Sequence, residues 1–298
     1  MRIDLIRTRY NMSSKLIRPS LILVILFLGF ASSGAAQGTP PALTPQADNT
    51  LHKTSAQDST ATPNPEQIFQ QMCDYLKNQP QFSFKAEVYN DRVYAEGRKL
   101  QYGMDIEAFF RRPDKFRIDG HGDWETKELI FDGKNITLYD KGKNHFGVIE
   151  AAGDMDAALD KAHNEYGVRV GLAELGANHL SDHINNGLTN SLYVGESKVR
   201  GVLCHHLALD KKNVHYQLWI EAGDKPLLRK MVITHKSLPY APQWTAFISD
   251  WNFAPQLADN LFTFAQPDGA KKIKFSPVKR TEAPARKHVK PKKKGGAS

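Results

Sequence analysis

Apolar residues recur at helical spacing in a few short stretches of the chain. After residues 64–66 (Asn-Pro-Glu), they follow at intervals of three and four to about Asn78, which predicts an amphipathic helix. Asn is a good N-cap and Pro is favoured in the first turn, so the helix should begin there. A second helix is expected over 154–166 and further short helical turns over about 169–186. The stripe of the first helix consists of Ile68, Phe69, Met72, Tyr75 and Leu76.

Elsewhere the ordered part of the chain is rich in short β-prone runs. About four such runs lie between residues 81 and 150, and about six between 192 and 266, the last reading LFTFAQ. Asp-Gly, Lys-Gly-Lys-Asn, Gly-Asp-Lys-Pro and Lys-Lys-Asn separate them, as turns do between hairpin strands. Because successive strands are interrupted by helices without regular βαβ alternation, the pattern predicts an α+β fold on an antiparallel sheet.

The first 36 residues have the pattern of a secretory signal peptide. The uncharged apolar run Leu21–Phe30 follows basic residues and precedes small ones, and residues 34–36 (Gly-Ala-Ala) suit cleavage. The alternative is a membrane anchor, but the run is far shorter than the ~20 residues that span a bilayer. We therefore expect cleavage after Ala36 and export, most simply to a bacterial periplasm. Translation starts at Met1 or at Met12.

Composition divides the remainder into three parts. Residues 37–64 are rich in Pro, Thr, Ala and Ser and predict a disordered linker, and 65–278 should form a single domain. Residues 279–298 form a basic tail of net charge +7, again expected to be disordered. The first 36 residues have a net charge of +4 and residues 37–278 a net charge of −3, so the positive charge of the chain, +8 in total, lies at its two ends.

This charge distribution excludes a uniformly basic, nucleic-acid-binding body. The tail has two interpretations: peripheral contact with an anionic membrane or envelope polymer, or a solubilising extension.

Two cysteines, Cys73 and Cys204, remain after cleavage. In an oxidising compartment an even pair favours a disulfide. The alternative is two separate buried thiols, which behave as small hydrophobic residues.

The cluster that looks most like a metal site is Cys204, His206 and His215. Strand alternation puts Cys204 and His206 on one face and His205 on the other, and no fourth ligand is in view. No G-x-S-x-G, Walker or H-E-x-x-H motif occurs. We therefore predict no catalytic residue, no metal and no cofactor, and keep a zinc-dependent hydrolase as the third hypothesis.

Several long motifs resemble one bacterial exported family. MCDYL, LQYGMDIEAFFRRPDKFRID, IFDGKNITLYD and the stretch from VGESKVRGVLCHHLALD to LFTFAQPDGAKKIKF are similar, in the same order, to domain of unknown function 2092. That family is similar in fold to the periplasmic LolA/LolB-like lipoprotein carriers. The resemblance implies a strongly curved antiparallel β half-barrel with helices plugging its concave face, and it implies no catalytic residue.

Large aromatic and apolar residues suggest a cavity between the first helix and this sheet. The candidate cavity residues are Phe69, Met72, Trp219, Trp244 and Trp251. The leading hypothesis is a non-enzymatic periplasmic protein that binds an apolar or lipidic ligand there. The second is an envelope protein-interaction or sensing module without a small ligand. We expect a monomer.

Overall fold

The computed structural model describes residues 63–168 and 171–277. The predicted signal peptide, most of the predicted linker and the basic tail lie outside these ranges. Twelve strands in the described residues form one continuous sheet. They are β1 (Gln81–Val93), β2 (Lys99–Arg111), β3 (Lys115–Gly122), β4 (Thr126–Phe131), β5 (Asn135–Asp140), β6 (His145–Glu150), β7 (Leu188–Val199), β8 (Val202–Lys211), β9 (Val214–Glu221), β10 (Leu228–His235), β11 (Gln243–Asn252) and β12 (Lys271–Ile273).

The sheet joins two meanders through its centre. Its order is β12-β6-β5-β4-β3-β2-β1-β11-β10-β9-β8-β7. All neighbours are antiparallel except β12, which runs parallel to β6. Strand β1 pairs with β2 on one side and with β11 on the other, where Asn90 lies opposite Trp244. The sheet is open, since β7 and β12 are its two ends.

The helices are those that the sequence predicted. They are α1 (Pro65–Lys77), α2 (Met155–Tyr166) and α3 (Leu180–Asn185), with short 3₁₀ turns at Ala95–Gly97, Ala173–Gly176 and Asp259–Phe262. The Asn64 side chain accepts hydrogen bonds from the backbone N–H groups of Glu66 and Gln67 at 2.9 and 3.2 Å, which confirms the predicted cap. No helix within 63–168 or 171–277 has the length and apolar content to cross a bilayer.

Strand number differs from the prediction in the first half. Six strands stand where about four were expected, because the last predicted run divides at its Asp-Gly-Lys-Asn and Lys-Gly-Lys-Asn turns into β4, β5 and β6. In the second half, LFTFAQ forms no strand. Its beginning belongs to the 3₁₀ turn Asp259–Phe262, and β12 is the last strand instead.

One face of the sheet is the core. Across β1, β11, β10, β9 and β8 a row of paired residues shares this face, and each is buried; the row is Val88, Ala246, Met231, Leu218 and Leu207. The helices cover it, with α1 against β7–β9 and α2 against β5. This arrangement confirms the predicted α+β fold, a curved antiparallel sheet with helices on its concave face.

Arg112 fixes α1 to the sheet and to the turn that follows α2. Its guanidinium donates to the backbone oxygens of Leu76, Gln79 and Gly176 at 3.2, 3.0 and 2.6 Å, and to the Asn178 side chain at 2.8 Å. The Leu76 oxygen belongs to the last turn of α1 and also accepts from the Gln79 backbone N–H at 3.1 Å, and the Gln79 oxygen lies just beyond the helix. Arg112 therefore ties the C-terminal end of α1 to the sheet, in addition to the apolar stripe of α1 that packs in the core.

Candidate ligand cavity

Helix α1 does not fill the concave face completely. A cavity of about 540 Å³ lies between α1, α3 and strands β9 to β11. Phe69 and Met72 enter it from α1 because they share the helix's apolar stripe. Leu218 and Met231 enter from the sheet, because alternation turns them to the inner face. The buried part of the lining is therefore almost entirely hydrophobic.

A second, smaller cavity of about 150 Å³ continues along the inner face toward β2, β3 and β4. Met104, Ile106 and Leu129 are among its lining residues. Trp244 and Gly171 line both cavities. The Trp244 indole, 3% exposed, thus stands between the two spaces.

One group of polar residues in the larger cavity lies where strands turn, and a second comes from α2, the 3₁₀ turn Ala173–Gly176 and α3. Lys211 at the end of β8 and Lys212 and Asn213 in the turn to β9 line the cavity, and so does His235 at the end of β10. The backbone N–H of Lys236 donates to the Asn213 oxygen at 2.9 Å, so the two turns lie together at one end of the sheet. Burial lowers the pKa of His235 to about 4, so its ring is neutral at pH 7. The cavity is apolar inside and carries lysines at this end.

Three of the five predicted cavity residues, Phe69, Met72 and Trp244, come together around this space. Trp219 does not, because strand β9 turns its side chain to the outer face. There the indole stacks on His206 with ring centroids 4.0 Å apart, and Lys230 Nζ lies 4.3 Å from the ring centroid. The placement of Trp219 in the cavity is thus corrected.

Trp251 also lies outside both cavities. Its ring packs 4.7 Å from that of Phe84 and 5.8 Å from that of Phe82, and its Nε1–H donates to the Leu228 oxygen at 3.2 Å. A β-bulge in β11, where Asp250 has φ of 53°, turns Trp251 to the inner face. The residue belongs to a solid aromatic cluster at the other end of the core.

The two cysteines are free thiols, which corrects the disulfide expectation. Cys73 lies on α1 in the core of the inner face. Cys204 lies opposite Glu221. It is three residues from Leu207, whose side chain faces the core, so strand alternation turns the Cys204 side chain to the outer face of the sheet. The sheet therefore separates the two sulfur atoms. Burial raises the pKa of Cys73 to about 12 and that of Cys204 to about 11, so both remain protonated.

The candidate metal residues of strands β8 and β9 are also dispersed. His206 Nε2 lies 3.2 Å from Gln217 Oε1, and His215 Nδ1 lies 3.0 Å from Asp210 Oδ1. The Cys204 thiol donates to the Val202 oxygen at 3.4 Å. Cys204 and His206 do share a face, as alternation predicted. Each nonetheless has a local partner of its own, so the structure gives no support to a metal site of these three residues.

A different cluster of possible metal ligands was not predicted from the sequence. In the described ranges, Asp160, His179 and His183 bring one possible ligand atom each to within 4.8 Å of one another. The signal available was the spacing of four between the two histidines, which places them on one side of a helix. That spacing lay in a stretch predicted only as short helical turns. Exposed Trp124, which lines the smaller cavity, was missed as well.

Comparison with known proteins identifies the family. The model of the family described as "Predicted periplasmic protein (DUF2092)" matches residues 65–276. This description confirms the periplasmic location predicted from the sequence; the signal peptide itself stays a prediction. No curated protein sequence matches the chain.

Solved structures show distant similarity. An uncharacterized conserved protein of Thermus thermophilus is 9% identical with a TM-score of 0.43, over 70% of this chain and 98% of that one. The Mycobacterium tuberculosis lipoprotein LppX is 14% identical with a TM-score of 0.38, over 65% and 97%. A LolA superfamily protein of Nitrosomonas europaea is 10% identical with a TM-score of 0.31, over 68% and 99%. No functional conclusion follows from similarities of this degree.

The family match rests on different ground, since it covers nearly every residue from the start of α1 to just beyond β12. The chain therefore belongs to the family of predicted periplasmic proteins DUF2092.

Proposed function

We propose that this protein is a non-enzymatic periplasmic binding protein that holds one amphipathic, acyl-type ligand between α1 and the concave face of the sheet. The observation that carries the proposal is the cavity of about 540 Å³ with its hydrophobic interior. Ligand sites in proteins commonly enclose about 300–1,000 Å³ and have mostly apolar linings with a few polar groups. The cavity fits this description in both size and chemistry.

The polar end of the cavity supports a ligand with a negatively charged headgroup. Lys211 and Lys212 lie there, and the neutral His235 adds no charge of either sign at pH 7. An acyl chain directed inward would contact Phe69 and Met231, while its headgroup would stay at the turns near the lysines. A ligand of this kind buries its apolar part and keeps its charge near solvent, which avoids the desolvation cost of a buried anion.

Titration of the delipidated mature protein with a fluorescent fatty-acyl probe tests the proposal. We expect about one probe per chain, with a negative change in heat capacity because apolar surface leaves water. Ile233→Trp, which adds bulk to the lining of the cavity, should weaken binding at least tenfold. Thr234→Trp is the matched control, because the neighbouring residue of β10 points to the other face. Equal binding by both variants would contradict the proposed site.

Native mass spectrometry of the protein purified from its own periplasm identifies the natural ligand class. A co-purifying lipid supports the proposal. A stoichiometric protein together with no probe binding would replace it with the interaction-module hypothesis. Removal of residues 279–298 should leave probe binding intact, because this tail has almost no apolar content. Removal should weaken only attachment to anionic vesicles, and that attachment should decline with salt.

A further inference from the structure

A cluster of histidines and carboxylates joins α2 to α3 beside the large cavity. Asp160 lies on α2, His179 directly precedes α3, and His183 lies within it. His183 Nε2 is 3.4 Å from Asp160 Oδ1, and His179 Nε2 is 3.7 Å from the same oxygen. The two imidazole rings approach with centroids 4.0 Å apart. Two ring nitrogens thus converge on one carboxylate oxygen.

These separations match those of zinc ligands. Nitrogen and oxygen atoms lie about 2.0–2.2 Å from zinc, so two ligands of a tetrahedral ion lie about 3.3–3.5 Å apart. The distances from the Asp160 oxygen to the two Nε2 atoms lie at or close to this value. All three possible ligand atoms lie within 4.8 Å of one another, so an ion among them would draw the side chains slightly together.

The other nitrogen of each histidine faces a second carboxylate. His179 Nδ1 is in close contact with Asp156 Oδ1, and His183 Nδ1 lies 3.5 Å from Glu174 Oε2. Metal-binding histidines usually donate their second ring N–H to a carboxylate or carbonyl, which fixes the ring and leaves the first nitrogen with a lone pair for the metal. His179 shows this arrangement. The ring of His183 faces Glu174, but Glu174 Oε2 accepts no hydrogen bond, so this second carboxylate orients His183 less firmly.

Asp156 is itself held firmly in place. Its Oδ1 accepts hydrogen bonds from the backbone N–H groups of Asn178 and His179 at 2.8 and 3.0 Å, and its Oδ2 accepts one from Asn178 Nδ2 at 2.7 Å. The carboxylate cannot easily turn away from His179. The ring orientation that directs Nε2 toward Asp160 is therefore built into the contact between α2 and the start of α3.

His179 Nε2 provides the independent sign of a ligand. This atom is buried from solvent and makes no hydrogen bond. Buried polar atoms are nearly always paired, and leaving one unpaired costs free energy. A metal ion bonded to the lone pair would satisfy the atom.

We infer that Asp160, His179 and His183 form a binding site for a divalent transition metal of the zinc type. Two imidazoles favour such an ion over Ca²⁺ or Mg²⁺, which prefer oxygen ligands. Three protein ligands leave one position of a tetrahedral ion for water or an external group. Because His183 and Glu174 also line the large cavity, the ion would lie at the cavity wall and clip α2 to α3.

Zinc titration of the full mature chain, untagged and stripped with a chelator, tests this inference. We expect one Zn²⁺ per chain by calorimetry, a higher melting temperature with Zn²⁺ bound, and the visible absorption of four-coordinate cobalt when Co²⁺ replaces it. His179→Ala and His183→Ala should each lower the affinity at least tenfold. Asp156→Asn, which removes a positioning charge without removing a ligand, should lower the affinity by about 10–100-fold.

The controls separate this cluster from the histidines of the outer face. Cys204→Ser and His215→Ala should leave the affinity for Zn²⁺ unchanged, because neither residue belongs to the cluster. Should a histidine variant fail to fold by circular dichroism, Asp160→Asn keeps the size of a half-exposed side chain and should still change the cobalt spectrum. Absence of Zn²⁺ binding, or an equal loss in the control variants, would overturn the inference. The result does not depend on the acyl ligand, since the titration is done without one.

Discussion

A β-carbon added at Gly171 would lie 4.0 Å from the Trp244 ring, so the two residues face each other across one side of the indole. Both residues line the larger and the smaller cavity. Glycine leaves this side of the ring without a facing side chain. The two residues thus form part of the boundary between two apolar spaces.

Replacement of Trp244 with alanine should join the two cavities and destabilise the fold. The side chain is 3% exposed, and loss of a buried Trp typically costs about 3–5 kcal/mol of unfolding free energy. Urea unfolding measures that loss. With the cavities joined, the variant should gain affinity for long acyl probes relative to short ones. An unchanged dependence on chain length would show that Trp244 is not a boundary to the ligand.

Arg112→Ala should destabilise the protein by about 3 kcal/mol, because it leaves several acceptors without a donor and each buried one costs about 1–3 kcal/mol. The acceptors that lose their donor include the oxygens of Gln79 and Gly176, whereas the Leu76 oxygen keeps its hydrogen bond from the Gln79 backbone N–H at 3.1 Å. The free energy of unfolding in urea is the measurement.

A second arginine, Arg200, serves as the matched control for Arg112→Ala. It pairs with Glu87 at 2.7 Å, but both side chains are more than two-fifths exposed. Exposed ion pairs contribute about 0.2–1 kcal/mol, so Arg200→Ala should have a small effect. Similar losses in the two variants would refute the structural role assigned to Arg112.

Thiol titration under denaturing, non-reducing conditions should find two free thiols per chain, since Cys73 and Cys204 lie on opposite faces of the sheet. In the folded protein at pH 8 both should react slowly with an alkylating reagent, because burial raises their pKa values to about 12 and about 11 and the thiolate is the reactive form. Finding no thiol in periplasmic material would contradict the structure.

His235 should make the protein less stable as the pH falls from about 6.5 toward 4. Its pKa is lowered to about 4 in the folded state and is ~6.5 in an unfolded chain. Between these values the unfolded chain binds more protons, so acid favours unfolding. Between pH 7 and pH 5 the linkage relation gives a loss of about 2 kcal/mol from this group.

Comparison of the wild type with His235→Gln isolates that contribution. The variant should lose about 2 kcal/mol less than the wild type between pH 7 and pH 5 in urea unfolding, because glutamine does not titrate. Parallel pH profiles for the two proteins would show that folding does not lower the pKa of His235.

Local signals in the sequence determined most of the secondary structure. The Asn64 cap and the apolar stripe of residues 68–76 defined α1, since hydrogen bonding and periodicity act within a few residues. Turn sequences marked most of the hairpins, and strand alternation correctly separated Cys204 and His206 from His205. The count of strands failed between 126 and 150, where short strands and turns follow one another too closely to divide by propensity alone.

The site depended on contacts between distant parts of the chain. Asp160 meets His179 and His183 only because the segment between α2 and α3 folds back, and the sequence carried no more than the spacing of the two histidines. The free cysteines follow from the same cause. Because α1 packs on the inner face of the sheet, Cys73 lies on that side, whereas the Cys204 side chain lies on the outer side.

The three tryptophans that were candidates for the cavity show most directly what the sequence determined and what it left open. It placed Trp219, Trp244 and Trp251 in strands, because aromatic residues fit a pleated surface. Which of them faces the cavity was decided by tertiary structure. The pairing of Asn90 with Trp244 joins residues far apart in the chain and decides that the Trp244 side chain lies on the inner face of the sheet. The bulge at Asp250 then moves the Trp251 side chain from the outer to the inner face. Side-chain direction has a period of two, so a single extra residue exchanges the faces of everything that follows.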